Sequence, residues 1–146
     1  MRRMRWFLFV GLFLVALAGC GGKDERGGEE GELDEAAKAA CTGTALADAP
    51  NLPAGFPKVE GATYTQQRTQ GPTQVVEGYY EGSIQEGHDA YKSAFQQAGY
   101  DVLFDEVEEH DTEVAWRGEG RSGQVALRDE CGEDDRLYLK VTNRPA

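Results

Sequence analysis

Side chains that could act as nucleophiles are few in this chain. Its serines are Ser83, Ser93 and Ser122, and its histidines are His88 and His110. Serine hydrolases hold their serine within reach of a histidine base, in many cases on a sharp strand-to-helix turn, and none of these serines stands in such a pattern. We therefore expect a protein that is not an enzyme and has no cofactor. An enzyme remains a third hypothesis, which would require polar groups that converge in a cleft.

Cysteine chemistry offers a structural role instead. Besides Cys20, the chain contains Cys41 and Cys131. If the protein is exported, as its first 20 residues indicate below, these two cysteines meet an oxidising environment, in which two cysteines usually form a disulfide. This one would close a loop of about 90 residues and stabilise the fold by roughly 4–5 kcal/mol. The alternatives are two free thiols or metal ligands, but no histidine or further cysteine stands at zinc spacing. We predict the disulfide and no metal site.

Two stretches are dense in carboxylates, residues 105–113 with six and residues 129–135 with five. Calcium sites need several oxygens that converge from one loop. Neither stretch matches the spacing of an EF-hand loop, and strand residues that alternate between faces would scatter the ligands. We expect a charged strand edge that discourages aggregation, with a calcium site as the alternative.

Aromatic residues give the only indication of a binding surface. Adjacent tyrosines in a strand point to opposite faces of a sheet, so one of Tyr79 and Tyr80 should face outwards. We assign that position to Tyr79 and group it with Tyr64 and Tyr138. Because tyrosine is favoured at interfaces, these three residues form the predicted binding face on the side of the sheet that no helix covers.

The first 20 residues have the composition of an export signal. Arg2, Arg3 and Arg5 precede an apolar run from Trp6 to Ala18, which is short for a membrane-spanning helix of about 20 residues. A positive start, an apolar core and small residues before a cleavage point are typical of a secretory signal peptide. We therefore expect a cleaved export signal, with an uncleaved membrane anchor as the alternative.

Leu17-Ala18-Gly19-Cys20 resembles the lipobox of bacterial lipoproteins, and each position fits that pattern. The resemblance covers these residues only. It implies that residues 1–19 are removed, that the Cys20 thiol carries a diacylglyceryl group, and that the partner there is membrane lipid. A plain signal peptide without lipidation is the alternative.

The lipid anchor would also determine where the protein lies. Two acyl chains give stable attachment to a membrane, whereas one does not. The implied location is the outer face of the cytoplasmic membrane. In bacteria with two membranes, an aspartate directly after the lipidated cysteine resembles a signal for retention in the inner membrane. No aspartate follows Cys20, so the implied location in such a host is the outer membrane.

Composition divides the remainder of the chain. Residues 20–32 are rich in glycine and acid and predict a flexible tether, and residues 33–146 predict a single domain. After Cys20 there are 12 basic and 26 acidic residues, which gives a formal net charge of −14. Such a charge argues against binding to nucleic acid, which needs clustered cations.

The periodicity of apolar residues predicts the elements that position these groups. Residues 33–41 predict a short helix that the disulfide would pin. Residues 63–69 and 73–81 predict two strands of a hairpin. Ser83 and Glu86 form a capping box for a helix whose apolar stripe ends before Gly99. Alternation then predicts four strands, in which Val102 and Phe104 share one face.

The predicted fold is a small α+β domain: a mainly antiparallel sheet of five to six strands with one main helix on one face. Our leading functional hypothesis is a non-catalytic module that binds an unknown envelope protein or ligand. The alternative is a carrier of a small ligand or lipid. A carrier needs an enclosed cavity of at least about 300 Å³ between helix and sheet.

Overall fold

A computed structural model describes residues 27–49, 51–133 and 135–146 of the chain. Residues 1–19, Cys20 and the first part of the expected tether lie outside the described residues. The elements in chain order are α1 (Gly27–Thr42), β1 (Ala62–Gln70), β2 (Thr73–Glu81), α2 (Ile84–Gln97), β3 (Asp101–Val107), β4 (Asp111–Gly118), β5 (Arg121–Glu133) and β6 (Arg136–Pro145). The fold class is α+β, as the sequence predicts.

The six strands form one antiparallel sheet in the order β1-β2-β6-β5-β4-β3. The hairpin β1–β2 comes first, and its turn falls at Gly71, whose φ of 57° suits glycine. Strands β3 to β6 then form a meander, and β6 returns to pair with β2. As a result β1 and β3 are the two edge strands.

Helix α2 packs on one face of this sheet, and its sequence explains where it begins, where it ends and which side is buried. The Ser83 side chain accepts from the Glu86 amide while the Glu86 carboxylate accepts from the Ser83 amide, so the capping box is present. Gly99 follows the C-cap with φ of 77°, and the Tyr100 amide donates to the Phe95 carbonyl at 2.9 Å. Between these ends, the apolar stripe of α2 is buried against the core.

The core between α2 and the sheet is largely aromatic. Phe95 stacks on Trp116 with ring centroids 5.6 Å apart, and Phe56 lies 5.4 Å from both rings. Phe56 therefore anchors the proline-rich segment before β1 to the core. The remaining buried members of this cluster are Val76, Tyr80, Tyr91, Tyr100, Val114, Val125, Leu127, Leu137, Leu139 and Val141.

Helix α1 packs on the opposite face of the sheet. It begins at Gly27, inside the segment that we expected to be a tether, and continues to Thr42. Its buried residues Ala37, Ala40 and Cys41 form a second cluster with Tyr138 of β6. The sheet is therefore covered on both faces in part, and the expectation that one face lacks a helix was wrong.

One strand departs from the predicted alternation. The pairing of β3 with β4 shifts between Val102 and Phe104, which is the signature of a β-bulge at Leu103. Val102 lies opposite Trp116 on the α2 face, whereas Phe104 lies opposite Ala115 on the other face. The prediction that Val102 and Phe104 share a face was wrong, because one extra residue inverts the alternation.

Candidate binding site

The three tyrosines of the predicted binding face do not form a common surface. Tyr138 is only 5% exposed, because α1 packs on it. Its hydroxyl donates to the carboxylate of Glu77 at 2.5 Å. Tyr79 is half-buried on the same face, and the guanidinium of Arg136 lies 4.2 Å from the centre of its ring. The predicted grouping was wrong, because Tyr138 belongs to the α1 interface.

Tyr64 lies on the other face of the sheet. It pairs with Gly78 across β1 and β2 and packs against the α2 core. Its hydroxyl is 3.3 Å from that of Tyr91, and burial raises the pKa of Tyr64 to about 12. A tyrosine in this setting contributes to the core and cannot join Tyr79 in one patch.

Of the three cysteines, two are brought together and one is not described. Cys41 at the end of α1 and Cys131 in β5 are joined by a disulfide, with Cα atoms 5.6 Å apart. The bond fastens α1 to an interior strand of the sheet. Cys20 lies outside the described residues.

A surface that was not predicted from the sequence lies along β3. Three large apolar side chains are exposed on this strand: Leu103 at 49%, Phe104 at 51% and Val107 at 39%. We call these residues, together with Glu106, the Phe104 edge. The signal was present in the sequence, since Val102-Leu103-Phe104 puts three apolar residues in succession, which strict alternation cannot place on one buried face.

The Phe104 edge is acidic as well as apolar. Glu106 of β3 lies directly opposite Glu113 of β4, and like charges in this arrangement are unfavourable. Glu113 pairs with Arg128 of β5, whose guanidinium is 3.9 Å from the carboxylate. Exposed Glu108 and Glu109 continue the negative charge into the turn after β3.

One carboxylate of β3 is neutralised by α2. The Nζ of Lys92 donates to Asp105 Oδ2 at 2.7 Å, and Nε2 of His88 lies 3.0 Å from the same oxygen. The hydrogen bond from Lys92 is the main reason why the pKa of Asp105 is lowered. His88 is buried on the side of α2 that faces the sheet, and its Nδ1 lies 3.0 Å from Asp89. These contacts fasten β3 to α2 from one face only.

Two of the surface grooves in the described part of the chain bear on binding. One, of about 440 Å³, lies between the start of α2 and the end of β3 and includes Val107 in its wall. The other, of about 910 Å³, lies between the segments 45–49 and 52–59 on one side and β1 on the other, and apolar residues such as Leu46, Leu52 and Tyr64 line it. The carrier hypothesis expects a pocket between helix and sheet, but the aromatic core fills the space between the body of α2 and the central strands.

In the part of the chain that the structure describes, no group of three or more histidine, cysteine or acidic residues is arranged to hold a metal ion. Within the same residues, no helix is both long and apolar enough to cross a membrane. Comparison of the chain with protein-family models, curated proteins and solved structures found no match.

Proposed function

We propose that this protein is a lipid-anchored extracytoplasmic lipoprotein whose folded domain is a non-catalytic binding module, and that the module binds a partner protein through the Phe104 edge. The observation that carries the proposal is the exposure of Leu103, Phe104 and Val107 together on an edge strand. A bulge and carboxylates, two features that protect edge strands against aggregation, are both present in β3, yet its three apolar side chains remain exposed. An apolar edge left accessible is typical of an interaction site.

The anchoring part of the proposal is supported by the lipobox residues Leu17-Ala18-Gly19-Cys20. Mass measurement of the full-length protein from its native membrane should show cleavage before residue 20 and a diacylglyceryl adduct on Cys20. The variant Cys20→Ser should lack the adduct and lose membrane attachment. An unmodified wild-type chain that stays in the membrane would contradict the anchor.

The binding part is tested by photo-crosslinking in intact cells. A benzophenone amino acid replaces Phe104 in one variant and Tyr79 in a matched control, so that an aromatic residue is exchanged in both. We expect a discrete crosslinked adduct from position 104 and none from position 79. An adduct from position 79 alone, or from neither position, would refute the Phe104 edge as the binding surface.

A second candidate function is a carrier of a small apolar ligand, supported by the apolar groove of about 910 Å³ beside β1. A volume of this size suits a ligand of drug-like dimensions. An environment-sensitive apolar dye should then bind the full-length protein, and Leu52→Asp should abolish that binding. Dye binding that Leu52→Asp leaves unchanged would exclude the groove.

A further inference from the structure

We infer that the Phe104 edge takes an extended, positively charged segment of its partner, which adds to the sheet as a seventh strand beside β3. This inference rests on the proposed binding function and goes further by naming the chemistry of the partner. It follows from three separate properties of β3: its position in the sheet, its exposed apolar side chains and its unbalanced charge.

The position of β3 makes strand addition geometrically direct. It is the outermost strand, and it pairs with β4 on its inner side only. In an antiparallel ladder every second residue directs its N–H and C=O groups away from the neighbouring strand. Those groups on β3 face outwards, beyond the described sheet. An extended segment can satisfy them by main-chain hydrogen bonds, as in β-augmentation.

The side chains of β3 define what the added strand should carry. Phe104 and Glu106 project from the same face, two residues apart. A strand that lies beside them presents its own side chains at the same spacing of two residues. An apolar residue next to Phe104 and a cation next to Glu106 would form favourable cross-strand pairs. The expected recognition pattern is therefore an apolar residue and a lysine or arginine separated by one residue.

Charge selects this partner over others. Glu106 and Glu113 face each other across β3 and β4, and Arg128 reaches only one of them, at 3.9 Å. A cation supplied beside Glu106 would relieve this repulsion. A second copy of this chain would instead bring the same carboxylates to the interface, and the 12 basic and 26 acidic residues after Cys20 give it a net charge of −14. The edge thus favours a cationic strand and disfavours self-association.

Binding of three labelled peptides to the full-length protein in detergent tests the inference. The first peptide has the repeat Val-Thr-Lys-Thr, so that valine and lysine are separated by one residue and lie on the same face of a strand. The second peptide has glutamate in place of lysine. The third keeps lysine but carries N-methyl groups on alternate backbone amides. We expect the first to bind about ten-fold or more tightly than the second at low salt, and the third to lose binding.

Variants of the protein assign the effect to β3. Phe104→Ala and Glu106→Gln should each weaken binding of the lysine peptide several-fold, and both positions are exposed, so the fold should persist. Glu60→Gln, an exposed carboxylate before β1, is the matched control and should have no effect. Equal binding of the lysine and glutamate peptides, or equal binding after N-methylation, would overturn the inference.

The two proposals fail in different ways. If position 104 crosslinks to a partner in cells but the lysine peptide has no advantage, the binding function stands and the strand chemistry is wrong. If neither crosslinking nor peptide binding occurs, both are wrong.

Discussion

At the residue scale, Tyr138 and Tyr79 are neighbours across β6 and β2 with different environments. The two residues are register partners on the same face of the sheet. Only the hydroxyl of Tyr138 donates to the carboxylate of Glu77. Glu77 is 2% exposed and is also paired with Arg68. A buried acceptor that loses its donor costs free energy, whereas an unpaired phenol at a half-buried position does not.

This contrast predicts different results for the same substitution. Tyr138→Phe should lower the free energy of unfolding by about 1–3 kcal/mol, and Tyr79→Phe should change it by less than about 0.5 kcal/mol. Urea unfolding of the two variants at neutral pH measures the difference. If the two variants were equally stable, Glu77 would not depend on the Tyr138 hydroxyl.

The pKa of Tyr64 gives a prediction for alkaline solution. Burial raises this pKa to about 12, against an ordinary value of about 10 for an unfolded chain. Because the folded state retains the phenolic proton, the contribution of Tyr64 to stability is complete below about pH 10 and is lost as the pH rises from 10 through 12. Tyrosinate absorbance should rise late in the wild type, and Tyr64→Phe should remove part of that late rise. A normal titration of all six tyrosines would contradict the burial.

At the element scale, the contact of α2 with the sheet depends on a glycine. Gly87 lowers helix propensity in the first turn, which by itself favours its replacement by alanine. A Cβ at this position would, however, overlap Leu127 Cδ1 and lie 3.2 Å from the Tyr80 ring. The absence of a side chain allows α2 to approach β5 and β2 closely.

We therefore expect Gly87→Ala to destabilise the protein by about 1–3 kcal/mol through overpacking, despite the gain in helix propensity. Thermal unfolding followed by circular dichroism measures this change. Ala90→Gly, in the same helix, is the control: it should destabilise modestly, by about 1 kcal/mol, through helix propensity alone. A Gly87→Ala variant more stable than the wild type would show that the packing can yield.

The attachment of α1 gives a second prediction for an element. The bond between Cys41 and Cys131 spans 90 residues of sequence, so its loss should lower the free energy of unfolding by roughly 4–5 kcal/mol. The double variant Cys41→Ser with Cys131→Ser should unfold at lower denaturant concentration than the wild type. Reductant should destabilise the wild type and leave the double variant unchanged. Alkylation of both cysteines in the native protein without reductant would refute the bond.

At the scale of the whole molecule, the fold could be predicted from local patterns. The turn at Gly71, the box of Ser83 and Glu86, and the alternation in β4, β5 and β6 each depend on residues close together in the chain. Side chains on one face recur every 3.6 residues in a helix and every second residue in a strand, so a few neighbouring residues are enough to reveal each element. The order of elements and the fold class follow from them.

The candidate site could not be predicted in the same way, because it depends on contacts between distant segments. Tyr138 is covered by α1, which lies far earlier in the sequence, and no pattern around Tyr138 indicates this. Phe104 changes face because of one bulged residue, Leu103, which inverts all alternation after it. The run of three apolar residues was the local trace of that bulge.

The disulfide has a mechanical consequence. Tension on the chain that precedes α1 reaches Cys41 and passes through a covalent bond to Cys131 in β5, which lies between β6 and β4. The load then enters an interior strand at its end, past Arg128, where the pairing of β5 with β4 stops. Without the disulfide, the same load would reach the edge strand β1 first. We therefore expect the disulfide to raise the force needed to unfold the domain through the chain that precedes α1.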